Sequence, residues 1–330
     1  MNRRTFLQNS SALSVASMFG FPGGARAEPL PETTRIRLVA SPAICLAPQF
    51  VAEPLLRLEG FTEIEYVKIN AAVPWVPLAS GDADISMDSI WTHIVRVDAG
   101  DPLVALAGMH LGCYELFGTQ RINALRDLKG KSIPVGKLGS PEHLFFSVLL
   151  AYVGLDPNKD IRWLERTTDE SVKLLAEEKV DAVLAFPPLG QELRARGIGR
   201  LIVDTTVDRP WMDHFCCMLV ANRAFMRSHP IATRRTLRAL LKAADLCRRD
   251  PAGVARLMVE KGFAAREDYA RQTLQDVTFT AWRTHDPEDT VRFMSLRLRE
   301  TGFIKGSPRK IIADGTDWRF LNELKKELKA

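Results

Sequence analysis

Leu78-Ala79-Ser80-Gly81-Asp82-Ala83-Asp84-Ile85 and Leu175-Ala176-Glu177-Glu178-Lys179-Val180-Asp181-Ala182-Val183 repeat one design in two places. Each reads as the end of a helix, a tight turn, an aspartate and the start of a strand. Around the first copy, Arg35 to Ala40 and Glu63 to Ile69 alternate apolar with charged residues, as strands do. Ala47 to Leu58 reads as a helix ended by Gly60 and kinked at Pro54. Asp84 to Met87 is a short strand that enters a helix running to Val97 and stopping at Gly100. Leu103 to Ala107 is unbroken apolar sequence, the pattern of a strand buried on both faces.

Around the second copy the cycle recurs. Lys131 to Val135, Ile161 to Leu164 and Asp181 to Phe186 read as strands. Gly139-Ser140-Pro141 opens an apolar helix closed by Gly154, and Asp169 to Glu178 reads as another helix. From Ile231 onward the chain is mainly helical: Ala232 to Cys247, Pro251 to Lys261, Arg266 to Asp276, Thr290 to Thr301 and Trp318 to Leu328. Alternating strands and helices imply an α/β fold with largely parallel sheets. Two such cycles with no Pro- or Ser-rich linker predict two similar lobes joined by short crossing strands.

The first 27 residues differ in kind. Arg3-Arg4-Thr5-Phe6-Leu7 precedes a modestly apolar run, Ser10 to Phe21, and Ala25-Arg26-Ala27 follows it. That order is a basic region, an apolar region and an A-x-A cleavage site. The expectation is a twin-arginine-like export signal, cleaved near Ala27, and a periplasmic protein. The run is too short and too rich in serine and glycine to span a bilayer, which takes about 20 apolar residues. The first cysteine is Cys45, well past the cleavage site, so a lipoprotein is not expected.

Net charge is +5, of which Arg3, Arg4 and Arg26 leave with the signal. No lysine- or arginine-rich stripe remains, which excludes a nucleic-acid-binding face. The remaining chain is long enough to divide into two domains. Five cysteines (Cys45, Cys113, Cys216, Cys217 and Cys247) are too few and scattered for a disulfide framework, and their odd number leaves at least one thiol unpaired within the chain.

Candidate ligand positions sit where strands give way to helices, the usual place for a site in an open α/β sheet. Ser41-Pro42 follows the first strand, and Asp88-Ser89 follows the third. Asp88 has two readings: it accepts a hydrogen bond from a cationic or amino ligand, or it caps the helix beginning at Ile90. Gly139-Ser140-Pro141-Glu142-His143 starts a helix with free backbone N–H groups, to which Ser140 and His143 would add donors. The alternative is that Ser140 caps its own helix and His143 faces solvent. Phe186-Pro187-Pro188 ends a strand, with Phe186 either an apolar wall or part of the core.

His110, Cys113 and Glu115 are close in sequence, but side chains alternate faces along a strand. His110 and Tyr114 then lie opposite Cys113 and Glu115, so no metal site is expected without a bend. The adjacent Cys216 and Cys217 should likewise point apart as buried small apolar groups. There is no Gly-x-Ser-x-Gly elbow, phosphate loop, dinucleotide fingerprint or His-Glu-x-x-His pair, so neither catalytic residues nor a cofactor are expected.

Asp127-Leu128-Lys129-Gly130-Lys131-Ser132-Ile133-Pro134-Val135, followed by Gly139-Ser140 and the helix to Gly154-Leu155-Asp156-Pro157, resembles the second-lobe opening of periplasmic solute-binding proteins. The group is the nitrate/sulfonate/taurine type, similar also to the thiamine-precursor (NMT1-like) proteins. Ala79 to Ile85 and Val180 to Ala182 match that family's turns in the first and second lobes. The resemblance implies a type II periplasmic-binding-protein-like fold: two α/β lobes, two crossing strands and a helical C-terminal segment. Lobe one would be 28–117 plus 222–330, lobe two 118–221, with crossings at Tyr114 to Gly118 and Cys216 to Val220.

Ligand positions implied by the family are Ser41, Pro42, Asp88, Ser89, Gly112, Cys113, Gly139, Ser140 and His143, with Phe186 and Pro187 lining the far side. Little positive charge lies near them, and Asp88 argues against nitrate or a simple sulfonate. A mixed polar and aromatic organic ligand is the expectation. The implied role is capture of a small molecule by a monomer that closes on it and docks on the membrane permease of an ABC importer driven by its ATPase. Two alternatives accompany it: an enzyme like the thiamine-pyrimidine synthases, whose cysteine-rich motif the pair Cys216-Cys217 does not meet, and a ligand-sensing partner of a membrane receptor.

Overall fold

The computed structural model describes residues 28–41, 43–69 and 75–329, so the expected export signal at 1–27 lies outside them. Both aspartates of the repeated stretch anchor a strand. The Asp84 N–H donates to the Arg37 carbonyl at 2.9 Å, and Asp84 Oδ2 accepts the Arg37 N–H at 2.8 Å. Asp181 makes the same pair of bonds to Ser132, at 3.0 and 2.9 Å. A carboxylate one carbon from the backbone is the right length to take the amide beside the carbonyl its own N–H uses.

Each anchored strand belongs to its own half of the strand framework. One sheet has the order β2-β1-β3-β10-β4, with β1 at Arg35–Ala40, β2 at Glu63–Lys68, β3 at Ile85–Ser89, β4 at Leu103–Leu111 and β10 at Phe215–Asn222. A second has the order β8-β5-β9, with β5 at Glu115–Gly118, β8 at Ala182–Ala185 and β9 at Arg200–Asp204. β6 (Ser132–Val135) and β7 (Arg162–Glu165) form a separate pair. The core strands are apolar because both faces are covered: every residue of β4 and of β10 is buried.

The expectation of largely parallel sheets holds for β1, β2 and β3 and for the β6–β7 pair. It fails for β10, antiparallel to both β3 and β4, and for β5, antiparallel to both β8 and β9. The cause is the route of the chain. It leaves the first sheet through β4 and returns through β10, so the returning strand enters reversed.

The two passages between sheets touch. Thr205 Oγ1 accepts the N–H groups of Cys113 (3.0 Å) and Tyr114 (2.9 Å), and its hydroxyl donates to the Tyr114 carbonyl at 2.8 Å. Gly112 lies against the Thr205 carbonyl with φ of +30°, where a Cβ would collide with that backbone.

The helix expected over 47–58 is broken at Ala52 into Ala47–Val51 and Glu53–Leu58. Pro54 sits in the first turn of the second piece, where a missing N–H costs no helical bond. The helical C-terminal region contains Pro230–Arg249, Pro251–Glu260, Glu267–Asp276, Pro287–Glu300 and Arg319–Glu327, with Pro308–Gly315 as an unforeseen addition. Among the described residues, no helix is long and apolar enough to cross a membrane.

Candidate functional site

The ends of β1, β3 and β8 open on one cleft. Ser41 follows β1, while Ser86, Met87, Asp88 and Ser89 belong to β3. Phe186 follows β8, and Glu142 stands in the first turn of the helix Pro141–Tyr152. Together with Tyr114, Cys216 and Cys217 they enclose a cavity of about 120 Å³. A second cavity of about 310 Å³ shares Glu142 and Phe186 and adds Arg166, Thr168 and Ser171. The first cavity is lined by two carboxylates and, among the described residues, by no lysine, arginine or histidine.

Asp88 decides the electrostatics. It is half-buried, and burial pushes its carboxyl up to about 6 even though the Ser89 N–H donates to its Oδ1 at 2.7 Å. Asp88 does not cap the following helix. Ser89 occupies the N-cap position with extended backbone, and its hydroxyl meets Thr92 Oγ1 at 2.7 Å and Asp88 Oδ1 at 3.5 Å rather than a backbone amide. Both Ser89 contacts fall on Oδ1, and Oδ2 of Asp88 remains for whatever enters the cleft. The opposite wall is aromatic: Tyr114 packs on Phe186 with ring centres 5.0 Å apart, and Trp91 and Phe145 support Tyr114 from behind at 5.6 and 5.1 Å.

Of the expected ligand positions, Ser41, Asp88, Ser89 and Phe186 line this cleft. Pro42 lies outside the described residues. The others are placed differently, each for a local reason. Ser140 caps its own helix, accepting the His143 N–H at 3.3 Å. His143 does not face solvent; its Nδ1 accepts the Gly139 N–H at 2.9 Å, and its ring packs edge-on against Trp163 and Phe303. Burial lowers its pKa to about 4, so it stays neutral there. Gly139 is consumed in that same bond, and the helix offers Glu142 to the cleft instead.

Gly112 and Cys113 belong to the passage between sheets, beneath the cleft rather than on it. Pro187 is buried by the turn in which the Leu189 N–H reaches the Phe186 carbonyl at 2.9 Å. Sequence reasoning missed Glu142, Tyr114 and Ser86. Glu142 alone carried a signal, since a carboxylate two residues after an N-cap serine was passed over for its neighbour His143.

The cysteines correct the sequence expectation most. β4 ends at Leu111, and Gly112 supplies the bend that brings Cys113 back beside His110. In β10 the pairing with β4 slips around Cys216, and that bulge lets adjacent cysteines share a side, their sulfurs 4.0 Å apart. Glu115, the third residue of the rejected metal set, goes elsewhere and pairs with Arg194.

Two α/β halves linked by touching passages, with a polar cleft at their strand ends, define the periplasmic-binding-protein fold, and the chain has that fold. More particularly, residues 103–260 match the model of the NMT1-like family, bearing out the resemblance drawn from the lobe-opening motif. The nitrate-binding protein NrtA of Synechocystis is similar with a TM-score of 0.74 and 14% identity, over 91% of this chain and 90% of that one. The alkanesulfonate-binding protein SsuA of Xanthomonas axonopodis, bound to MOPS, is similar with a TM-score of 0.68 and 18% identity, over 87% and 99% of the two chains. A ligand-binding component of an ABC-type import system from Staphylococcus aureus has a TM-score of 0.69 and 16% identity, over 88% and 99%. No curated protein sequence matches the chain.

Proposed function

We propose that the protein is the periplasmic solute-binding component of an ABC-type importer. In this reading the sheet β2-β1-β3-β10-β4 belongs to one lobe and the sheet β8-β5-β9 with the β6–β7 pair to the other, so β5 leaves the expected lobe 28–117 plus 222–330 and β10 leaves the expected lobe 118–221. The lobes close on a small organic ligand, and the closed form delivers it to a membrane permease driven by an ATPase. Closure follows from binding because a ligand that touches both walls has higher affinity for the closed state. The fold shared with binding components of import systems supports the role.

The observation that carries the reading furthest is the charge of the cleft. Nitrate and sulfonates need cations or free N–H donors around them, whereas Asp88 and Glu142 present carboxylates. The ligand we infer carries a cationic or hydrogen-bond-donating group for Asp88 and an apolar or aromatic part for Tyr114 and Phe186. Cavities of about 120 and 310 Å³ joined at Glu142 and Phe186 suit a metabolite of modest size.

A thermal-shift screen of the purified protein against amines, amino acids, aromatic acids, nitrate and sulfonates tests this. Ligand at about 100 times its Kd adds roughly 2.7 kcal/mol, which raises Tm by several degrees. The expected result is a shift with an amine or amino acid that Asp88→Asn abolishes. Shifts with nitrate or sulfonates alone would overturn the ligand class; shifts with none would remove the support for binding.

A further inference from the structure

Four of the five cysteines meet at one place, behind the wall of the cleft. Cys45, on the short helix Ile44–Leu46, and Cys217 of β10 each place a sulfur within 4.8 Å of a ring nitrogen of His110 and of each other. Cys113 and Cys216 do the same around the same histidine. The Cys113 and Cys216 sulfurs are 3.0 Å apart, and those of Cys216 and Cys217 are 4.0 Å apart. All five side chains are buried, at 4% exposure or less. Cys216 and Cys217 also line the cleft cavity, so the cluster has a route to solvent.

Buried cysteines commonly serve as small apolar groups, and four thiols alone would not require more. The histidine does. His110 is fully buried, and its Nδ1 lies 3.2 Å from the Leu111 carbonyl, to which it donates. That bond fixes the tautomer and leaves Nε2 as a lone pair, and Nε2 has no hydrogen-bond partner among the described residues. An imidazole held by one nitrogen to a backbone carbonyl, with sulfur donors within 4.8 Å of a ring nitrogen, is the arrangement of a metal-ligating histidine.

We propose that His110 and the thiolates of this cluster bind one thiophilic divalent cation, zinc being the ordinary biological case. Bonds of about 2.3 Å at tetrahedral angles put sulfurs about 3.8 Å apart. The observed separations of 3.0 and 4.0 Å bracket that value, so small side-chain shifts close the site. Sulfur and nitrogen donors select a soft or borderline ion over magnesium or calcium. Each coordinating cysteine loses its proton to solvent as the metal–sulfur bond forms, so ion uptake releases one proton per thiolate. The site borders the small-molecule cleft through Cys216 and Cys217, and its test with a metal ion does not depend on what that cleft takes.

The full chain, purified under reductant without oxygen, is titrated with cadmium alone. The expected result is an ultraviolet sulfur-to-metal charge-transfer band that saturates at one equivalent and is reversed by excess zinc. Native mass spectrometry of the same wild-type sample counts the ion and, from the mass deficit, at least two displaced protons, so the outcome does not hang on any variant folding. Cys216→Ser and His110→Asn should each weaken binding tenfold or more, while Cys247→Ser, at a buried cysteine outside the cluster, leaves it unchanged. Absence of the band from protein with five titratable thiols overturns the proposal. So does a Cys113–Cys216 disulfide in protein taken directly from the periplasm, because it removes two of the donors.

Discussion

The two halves of the molecule use one device and put different chemistry on it. In both, an aspartate after a helix-ending turn grips the first strand of its half through a paired backbone and carboxylate contact, Asp84 to Arg37 and Asp181 to Ser132. In both, the strand that follows runs straight to the cleft. β3 ends in Asp88 and Ser89, whereas β8 leads to Phe186. The anchor is common because the strand needs holding; the last residue differs because one wall supplies charge and the other an aromatic surface.

The anchors themselves are not equal. Asp84 is almost wholly buried and also takes the Arg37 guanidinium, through Nε at 3.2 Å and a second contact from Nη2. The Asp181 side chain is more exposed, and its nearest cation, Arg121, stands 3.9 Å away in solvent. Breaking each anchor should reveal that difference. Asp84→Ala strands a buried amide and a half-buried guanidinium together, and we expect a loss of about 3 kcal/mol in urea unfolding. Asp84→Asn keeps an acceptor for the amide and should lose less.

Asp88→Asn separates the strand's anchor from its function. The Asp88 carboxyl titrates at about 6, above its ordinary value of 3.8. Its charged form is therefore disfavoured by folding, so the protein is most stable with respect to this group below about pH 4 and loses that stability as pH rises through 6. The asparagine variant escapes the penalty. It should be more stable than wild type by about 2 kcal/mol at pH 7 and equal to it near pH 4. Affinity for a cationic ligand should fall as pH drops below 6 in wild type and be lost in the variant. Equal stability of the two proteins at both pH values would mean that burial does not tax this carboxylate.

The equivalent break in the other half is smaller. Asp181→Ala removes one amide acceptor at a partly solvated position and should cost about 1 kcal/mol. A cost equal to that of Asp84→Ala would show that the backbone contact, not the buried arginine, sets the value of the anchor.

How much of this was readable beforehand differs by level. The repeated turn showed two α/β halves because period and turn chemistry are local. The clamp within it was not visible, since Asp84 and Asp181 earn their place by contact with residues 47 and 49 positions upstream. Ser41, Asp88, Ser89 and Phe186 were legible as strand ends. Ser140 and His143 misled, because a helix start suited to a ligand is also suited to satisfying itself. The cysteine cluster was hidden by the rule that strand side chains alternate, which Gly112 and the bulge at Cys216 each suspend for one residue. Alternation is a property of regular strands, and the two departures from it here bring four cysteines around His110.

The smallest expected effect lies in the turns that precede the anchors. Gly81 ends the helix Val76–Ser80 in the left-handed region with φ of 83°, and the corresponding turn in the second half uses Glu178 at φ of 52°. A residue with a Cβ is held there at a cost of roughly 1–2 kcal/mol, while glycine adopts it freely. Glycine also gives the unfolded chain more freedom, which takes back about 0.4–1 kcal/mol. Glu178→Gly should therefore stabilise the protein by about 0.5 kcal/mol, and Gly81→Ala should destabilise it by a similar amount, since strain and unfolded-chain entropy oppose each other in both. If Glu178→Gly instead destabilises, the bond from Arg121 Nη2 to the Glu178 carbonyl at 3.5 Å points to the loss: it braces the turn that Asp181 follows, and loosening the turn would weaken the anchor behind it.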